Sequence, residues 1–337
     1  MNPRSGIIAG GNWIVDQIKL IDHWPEQDTL VGITGELRSN GGSPYNLLKD
    51  LVRLGAGFPL EAVGLLGDDE YGRWIQTDCT AHKIDIRQLQ RHRDAATSYT
   101  DVLTVRSSGR RTFFHQRGAN GHLAPTHFDF RETRAKHFHL GYLLLLDVLD
   151  APGPDGKPAA CEVLNSARQM GLLTSVDVVS DSAGRFAEVV LPTLPYVDFL
   201  FINDYEAART TGAVLRDRSL DVTAVECAAR TLLEHGVGRW VIIHFPEGAY
   251  ACSRSGPGLW QKSLEVPASE IKGAAGAGDA FAAGVLYGVH DGWPMQRALL
   301  LGVSAAATSL SHPTCSDGVR PAAECLELAR RFSIPRP

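Results

Sequence analysis

Residues 197–211 read VDFLFINDYEAARTT. The first six positions are apolar apart from Asp198 and too few for a helix, so they read as a strand covered on both faces. The pair Asn203-Asp204 then opens a helix that runs to Thr211, with Glu206 in its first turn. The same rhythm repeats on both sides. Upstream, 137–141 is a strand, 159–170 a helix and 174–179 a strand; downstream, 223–235 is a helix and 240–244 a strand. Such alternation predicts an α/β fold with a central, mostly parallel sheet flanked by helices.

Farther out, 250–252 and 260–266 add strands that read as antiparallel, and 279–287 and 295–310 are helices rich in Ala and Leu. Toward the N-terminus, 7–9 is a buried strand that passes through Gly10-Gly11 into a more polar strand at 13–21, and 30–37 alternates as a strand does. Leu47, Leu48, Leu51 and Leu54 recur at helical spacing, and Gly55 stops that helix. Residues 58–66 read as a strand, 71–81 as a helix, and 87–91 as helical or irregular. Residues 98–105 and 111–116, separated by Ser107-Ser108-Gly109-Arg110, predict a hairpin inserted without a crossover helix. No repeat or linker divides the chain, so 1–337 reads as a single domain.

Composition narrows the function. Of 337 residues 44% are hydrophobic and 21% charged, with a formal net charge of -5, and no extended basic run invites nucleic acid. The six cysteines form no C-x-x-C pair and none stands beside a His at metal-ligand spacing, which reads as free thiols in a reducing compartment. Residues 6–15 are apolar after Arg4, but no small-residue cleavage site follows and Asp16 and Asp22 intrude, so a core strand is expected rather than a signal peptide. No apolar run reaches a membrane span of about 18 residues. The expectation is a cytoplasmic protein with no membrane partner.

Gly276-Ala277-Gly278-Asp279-Ala280-Phe281 stands directly before an Ala-rich helix. Small residues there allow close approach of a ligand, and the free N–H groups and dipole of a helix start favour an anion. Asp279 would project toward the same anion and can take the proton of an attacking hydroxyl. Donors and a base within one turn suit phosphoryl transfer to an alcohol. The same residues also make an ordinary helix start capped by Asp. Gly41-Gly42-Ser43-Pro44-Tyr45-Asn46 opens the Leu-rich helix and can hold a polyol through backbone and amide groups, or simply cap the helix. Gly64 to Gly72 is a strand end running into an acidic turn. Asn203 and Glu206 can organise water around Mg²⁺ and nucleotide phosphates, or form a capping box.

Together these segments resemble the PfkB carbohydrate kinase family, also called ribokinase-like. Gly41-Gly42 through Asn46 to Leu54-Gly55 is similar to its first signature and Gly276-Ala277-Gly278-Asp279 to its second. The segments 64–72, 118–123 (with Asn120) and 203–206 fall between them in the family's order. The resemblance implies a ribokinase-like fold with a small β-sheet lid, here about residues 13–38 and 96–117. It implies ATP-dependent phosphorylation of a hydroxyl on a small sugar, with ATP and Mg²⁺, and a homodimer through the lid is an expectation of the same kind. It assigns Asp279 as base and Gly276, Ala277 and Gly278 to the anion hole. Asp16, Gly42, Asn46, Tyr45 and Asn120 would meet the sugar. Asn203 and Glu206 would act on the Mg²⁺–phosphate side, Glu206 through water. Gly248 and Ser304 fall in the segments expected near adenine.

Two departures stand out. Gly273 and Ala274 occupy positions where the family usually has Asp-Thr, which puts a monovalent-cation site in doubt. The turn after the strand at 241–243 reads His244-Phe245-Pro246-Glu247-Gly248, so nucleotide contacts there depart as well. Arg117 would pair with a substrate carboxylate or phosphate or else be a solvated strand-end arginine, and His137 and His139 read as structural. The competing functions are a nucleoside kinase, using Trp13, Tyr45 and Phe114 to stack a base, and a non-catalytic sugar-binding regulator. A nicotinamide-dependent dehydrogenase fits poorly, because Gly64 to Gly72 lacks the G-x-G-x-x-G spacing.

Overall fold

A computed structural model describes residues 3–182 and 184–331. Among these residues, strands form two sheets. The nine-stranded sheet comprises β1 (Ile7–Gly11), β4 (Leu60–Gly67), β5 (Asp85–His92), β8 (His137–Leu143), β9 (Leu173–Val178), β10 (Phe199–Asn203), β11 (Trp240–Phe245), β12 (Gly248–Ser253) and β13 (Leu259–Lys262), in the order 13-12-11-10-9-8-1-4-5. Strands β5 to β11 along that order are parallel, while β12 and β13 close the edge as antiparallel strands. The four-stranded sheet comprises β2 (Ile14–Ile21), β3 (Ile33–Gly41), β6 (Tyr99–Val105) and β7 (Arg111–Gln116), in the order 3-2-6-7. There β2 and β6 are parallel and the other pairs antiparallel.

Helices cover both faces of the large sheet. Strand alternation sends Ile8, Leu200, Ile202, Val241 and Ile243 into one core, with α4 (Ala160–Gln169), α5 (Phe186–Thr193), α6 (Asp204–Thr211) and α7 (Val222–Glu234). It sends Ile7, Ala9, Phe199, Phe201 and Ile242 into the other, with α1 (Ser43–Leu54), α2 (Glu70–Ala81), α8 (Ala277–His290), α9 (Met295–Ser309) and α10 (Ala322–Arg331). A one-turn α3 (Asp147–Asp150) follows β8. No helix among the described residues is long and apolar enough to cross a membrane. All six cysteines are free thiols.

Three local readings change. Residues 87–91 lie within the edge strand β5, where Leu89 is the one fully buried side chain; an edge strand needs little apolar sequence because one side meets solvent. The strand read at 260–266 ends at Lys262, and Leu264 and Val266 turn instead toward a cavity. Helices α5 and α10 carry no reading in the sequence; α5 has Pro192 inside it.

Tyr45 shows how packing overrides a motif. Its ring is fully buried against Trp13, 5.3 Å between centroids, and its hydroxyl donates to Asp78 Oδ2 at 2.5 Å. Lys49, one turn on, reaches the same oxygen at 3.0 Å. The Asp78 carboxylate therefore ties α2 to α1 and compensates a buried ammonium. Removing one partner of a buried pair leaves the other uncompensated. Asp78→Ala is expected to cost about 3 kcal/mol of stability, measured by urea unfolding; a loss below about 1 kcal/mol would show that Lys49 finds water instead.

Candidate active site

From β1, the chain builds β4 and β5 on one side, then crosses to β8 on the other. This reversal opens a crevice above the C-terminal strand ends, where ligands bind in open α/β sheets. A cavity of about 440 Å³ occupies it. Tyr142, Asp177, Asn203 and His244 enter from the ends of β8, β9, β10 and β11, Gly42 and Asn46 from the start of α1, and Gly276 to Asp279 from the start of α8. The small sheet contributes Asp16, Thr100, Arg111 and His115.

The start of α8 brings small residues and a carboxylate together. Gly276 precedes the helix with φ of 72°, and a Cβ there would meet the Cys315 Cβ and carbonyl oxygen at 2.8 Å. Asp279, the third helical residue, is 4% exposed. Asn46 Nδ2 donates to its Oδ2 at 2.8 Å, and the Tyr142 hydroxyl lies 2.9 and 2.8 Å from its two oxygens. Burial pushes the Asp279 carboxyl up to about 8, the Asp177 charge adds to this, and the bonds from Asn46 and Tyr142 oppose it.

Asp16 sits across the cavity, 9% exposed, with Cys315 Sγ 3.5 Å from its Oδ2. Burial raises its carboxyl to about 7, against the bonds from Cys315 and Thr100 and the charge of Arg111. Gly41 makes room for it: a Cβ at that position would lie 2.3 Å from Asp16 Oδ1.

Asn203 and Glu206 form a capping box and also line the cavity. Asn203 Oδ1 accepts from the Glu206 N–H at 2.8 Å, and Glu206 Oε2 accepts from the Asn203 N–H at 2.9 Å. Glu206 Oε1 further accepts from Ser180 and Asn203 Nδ2, at 2.8 and 2.7 Å. Burial pushes Glu206 up to about 8, opposed by the Asn203 N–H and Ser180. Asp177 Oδ1 is buried with no hydrogen-bond partner.

A second cavity of about 600 Å³ adjoins the first. Gly248, Leu264, Val266 and Leu310 line it, and it shares Asn203, His244, Ala274, Ala277 and Gly278 with its neighbour. The two spaces therefore meet at the N-terminus of α8. The His244 ring stands beside that junction, its Cε1 3.2 Å from where a Gly278 Cβ would be. Burial lowers the imidazole to about 4, against the charges of Asp204 and Asp177, so it is neutral.

Of the residues read from the sequence, Asp16, Gly42, Asn46, Asn203, Glu206, Gly276, Ala277, Gly278 and Asp279 come together at the first cavity and Gly248 lies at the second. Three do not reach either space. Tyr45 belongs to the α1–α2 packing described above. Asn120 is fully buried and braces β1 to β2, accepting from the Trp13 N–H at 3.2 Å and donating to its carbonyl at 3.0 Å. Ser304 is fully buried and donates to the Leu300 carbonyl at 2.7 Å within α9; its neighbours Val303, Ala306 and Ala307 face the cavity. His137 and His139 are fully buried, and no group of three or more His, Cys, Asp or Glu suited to a metal exists among the described residues. His139 bridges Ser43 and Ser175, at 2.9 Å each. Arg117 is a structural arginine, 3.1 Å from Asp147.

Sequence reasoning missed Tyr142, Asp177, Arg111 and Cys315, and named His244 only within a strand end and turn expected near adenine. Position at the C-terminal end of a parallel strand was the available signal for Tyr142 and Asp177. Nothing local marks Cys315, which reaches Asp16 across 299 residues of chain.

The sequence pattern described as pfkB family carbohydrate kinase matches residues 14–322. The chain is 22% identical over 297 residues to a 5-dehydro-2-deoxygluconokinase of Clostridium perfringens, covering 82% of this chain and 80% of that one. It is 27% identical to an ATP-dependent ribose-1-phosphate kinase of Halopiger xanaduensis, covering 87% and 88%. Ribokinase from Giardia lamblia superposes with a TM-score of 0.80 at 17% identity, covering 98% of this chain and all of that one, a likeness of fold.

Proposed function

From a chain that belongs to the pfkB family of carbohydrate kinases, we propose that the two adjoining cavities hold a sugar and ATP, and that Asp279 is the base of the transfer. One observation carries this reading: the cavities meet at the N-terminus of α8, where Ala277 and Gly278 line both and the Asp279 carboxylate lines the first. The acceptor lies in the smaller space, with Asp16, Gly42 and Asn46 on its hydroxyls. The adenine end of ATP lies in the larger, more apolar space that includes Gly248.

In the transfer, a hydroxyl oxygen of the sugar forms a bond to the γ-phosphorus as the bond to the β,γ-bridging oxygen breaks. The hydroxyl proton passes to Asp279 and ADP leaves. The N–H groups of Gly278 and Asp279 steady the charge on the moving phosphoryl group, and neutral His244 donates beside them. Mg²⁺ fits this chain: Asp177 offers a buried, unpartnered oxygen and Glu206 a second carboxylate, the hard donors that hold this ion through water. When bound it neutralises charge on the β- and γ-phosphate oxygens. The four-stranded sheet would act as a lid over the sugar, excluding water that would otherwise take the phosphoryl group. Trp24, Ile33, Leu37 and Phe114 leave apolar surface on or beside that sheet, which suits a lid-to-lid homodimer.

A nucleoside acceptor loses its support, since Trp13 and Tyr45 lie in the core and Phe114 stacks on Trp24, 6.4 Å between centroids. The test is ADP release from Mg·ATP across pentoses, hexoses, sugar acids, sugar phosphates and nucleosides. Turnover of a sugar or sugar derivative is expected. Silence across the panel, with sugars still bound in calorimetry, would favour a non-catalytic sensor.

A further inference from the structure

We infer that the acceptor is an anionic sugar whose carboxylate or phosphate seats on Arg111, which enters the cavity from the small sheet. This rests on the kinase reading above. Strand alternation puts Arg111, Phe113 and His115 on one face of β7, and all three line the first cavity. Arg111 Nη1 is buried with no hydrogen-bond partner, and His115 Nε2 is likewise buried and unpartnered. The guanidinium lies over the Phe113 ring, 5.7 Å from its centroid.

The contrast with other arginines is informative. Arg53, Arg87, Arg91, Arg131 and Arg216 all contact carboxylates at 2.5 to 2.8 Å, and Arg117 has Asp147. Arg111 alone enters the cavity and forms no ion pair there, although burial disfavours its charge. The Asp16 charge supports the guanidinium from beyond ion-pair distance, and an arriving anion would supply the direct partner it lacks. A guanidinium presents two parallel N–H donors, which match a carboxylate or phosphate edge. His115 adds a neutral donor: Thr100 Oγ1 is 3.0 Å from its Nδ1, and burial together with the Arg117 charge lowers the imidazole to about 4.

The remainder of the lining fixes orientation. Asp16, Asp177 and Asp279 would repel an anion elsewhere, and Arg111 is the one Arg or Lys among the described residues of the lining. ATP is a poor candidate for this contact. Arg111 does not border the second cavity and is not among the residues the two spaces share. An acceptor held this way reaches from the reacting hydroxyl at Asp279, past Asp16, to an anionic group at Arg111.

The experiment uses the full chain with Mg·ATP and matched acceptor series: neutral sugars, the corresponding sugar acids, and the corresponding sugar phosphates. Each is run with wild type, Arg111→Gln, Arg111→Lys and Asp279→Asn. Wild type should prefer one anionic series, which names carboxylate or phosphate. Arg111→Gln should raise KM for that acceptor about 100-fold, leave KM for ATP within about threefold, and be partly rescued by Arg111→Lys. Unchanged KM for ATP also certifies that the variant is folded. Preference for neutral sugars, or equal KM in Arg111→Gln, overturns the anion site and leaves the kinase standing. If no acceptor shows Asp279-dependent phosphorylation, the kinase reading falls instead. Calorimetric titration of the same anionic sugars then decides the site alone: weaker binding to Arg111→Gln supports it, and equal binding overturns it.

Discussion

Asp279→Asn is expected to lower kcat by about 1000-fold or more while ATP and acceptor still bind. The substitution keeps the shape of the side chain and an oxygen for the Asn46 amide, so the start of α8 should hold its geometry. What it removes is the proton acceptor. Single-turnover measurements with the best acceptor of the panel provide the check, and turnover within about tenfold of wild type would mean that another group is the base. The pH dependence follows from the same residue. The base works deprotonated, and burial pushes its carboxyl up to about 8, so kcat/KM for the acceptor should rise from pH 6 and level off above about 8. Asp16 and Glu206, raised to about 7 and about 8, titrate in the same cavity, so the limb belongs to the cluster.

Stability should move the opposite way with pH. The folded-state pKa of Asp279 lies above its unfolded value, so its contribution is fully present below the unfolded pKa and is lost as pH rises through about 8. Wild type should therefore melt lower at pH 9 than at pH 6.5. Asp279→Asn, with no charge to bury, should melt about 2 °C or more above wild type at pH 9. This is the signature of a site where function is kept at a cost in stability. Equal melting temperatures at pH 9 would mean that the carboxylate is better solvated than its burial suggests.

Gly41→Ala is expected to lower kcat/KM for the acceptor about 100-fold, with KM for ATP unchanged. The added Cβ would stand 2.3 Å from Asp16 Oδ1 and 2.5 Å from its Cγ. A carboxylate on a short side chain can swing away, so the fold should survive; Gly41 itself is not in the left-handed region. The displaced carboxylate would no longer meet the sugar hydroxyls, and Asp16→Ala should have the same effect. Agreement between the two variants assigns the loss to Asp16; a fully active Gly41→Ala would remove Asp16 from acceptor binding. The neighbouring Gly42 is different in kind. Its φ is 83° and its Cβ would lie 2.0 Å from the Asn12 carbonyl oxygen, so substitution there strains backbone rather than moving one carboxylate.

Much of this protein was legible because the responsible physics is local. Alternating apolar runs and helices specify a parallel sheet with two covered faces, and β1, β10 and β11 divide their side chains between the two cores at period two. The Gly276–Asp279 stretch brings anion-binding donors and a base into one helical turn, so a few consecutive residues suffice to express it. Facing within an element is another matter. Tyr45 and Asn46 are adjacent on α1, yet Tyr45 turns to Asp78 and Asn46 to Asp279, because α2 and α8 pack on different sides of the helix. Ser304 points into α9 while Val303 and Ala306 face the second cavity.

Arg111 and Arg117 show the limit most clearly. Arg111 opens the short strand β7 and Arg117 follows it, and the sequence weighed only Arg117, as an anion partner or a solvated strand-end arginine. Asp147, in α3 after β8, pairs with Arg117 at 3.1 Å, whereas Arg111 meets Asp16 only beyond ion-pair distance. The sequence by itself determined the layers of the fold and the helix start, with the carboxylate beside it, that is proposed to receive a phosphoryl group, since periodicity and a contiguous motif need only neighbours along the chain. Only the tertiary structure decided which side chains face the cavity and which charges remain unpaired, because burial and pairing depend on groups from tens to hundreds of residues away.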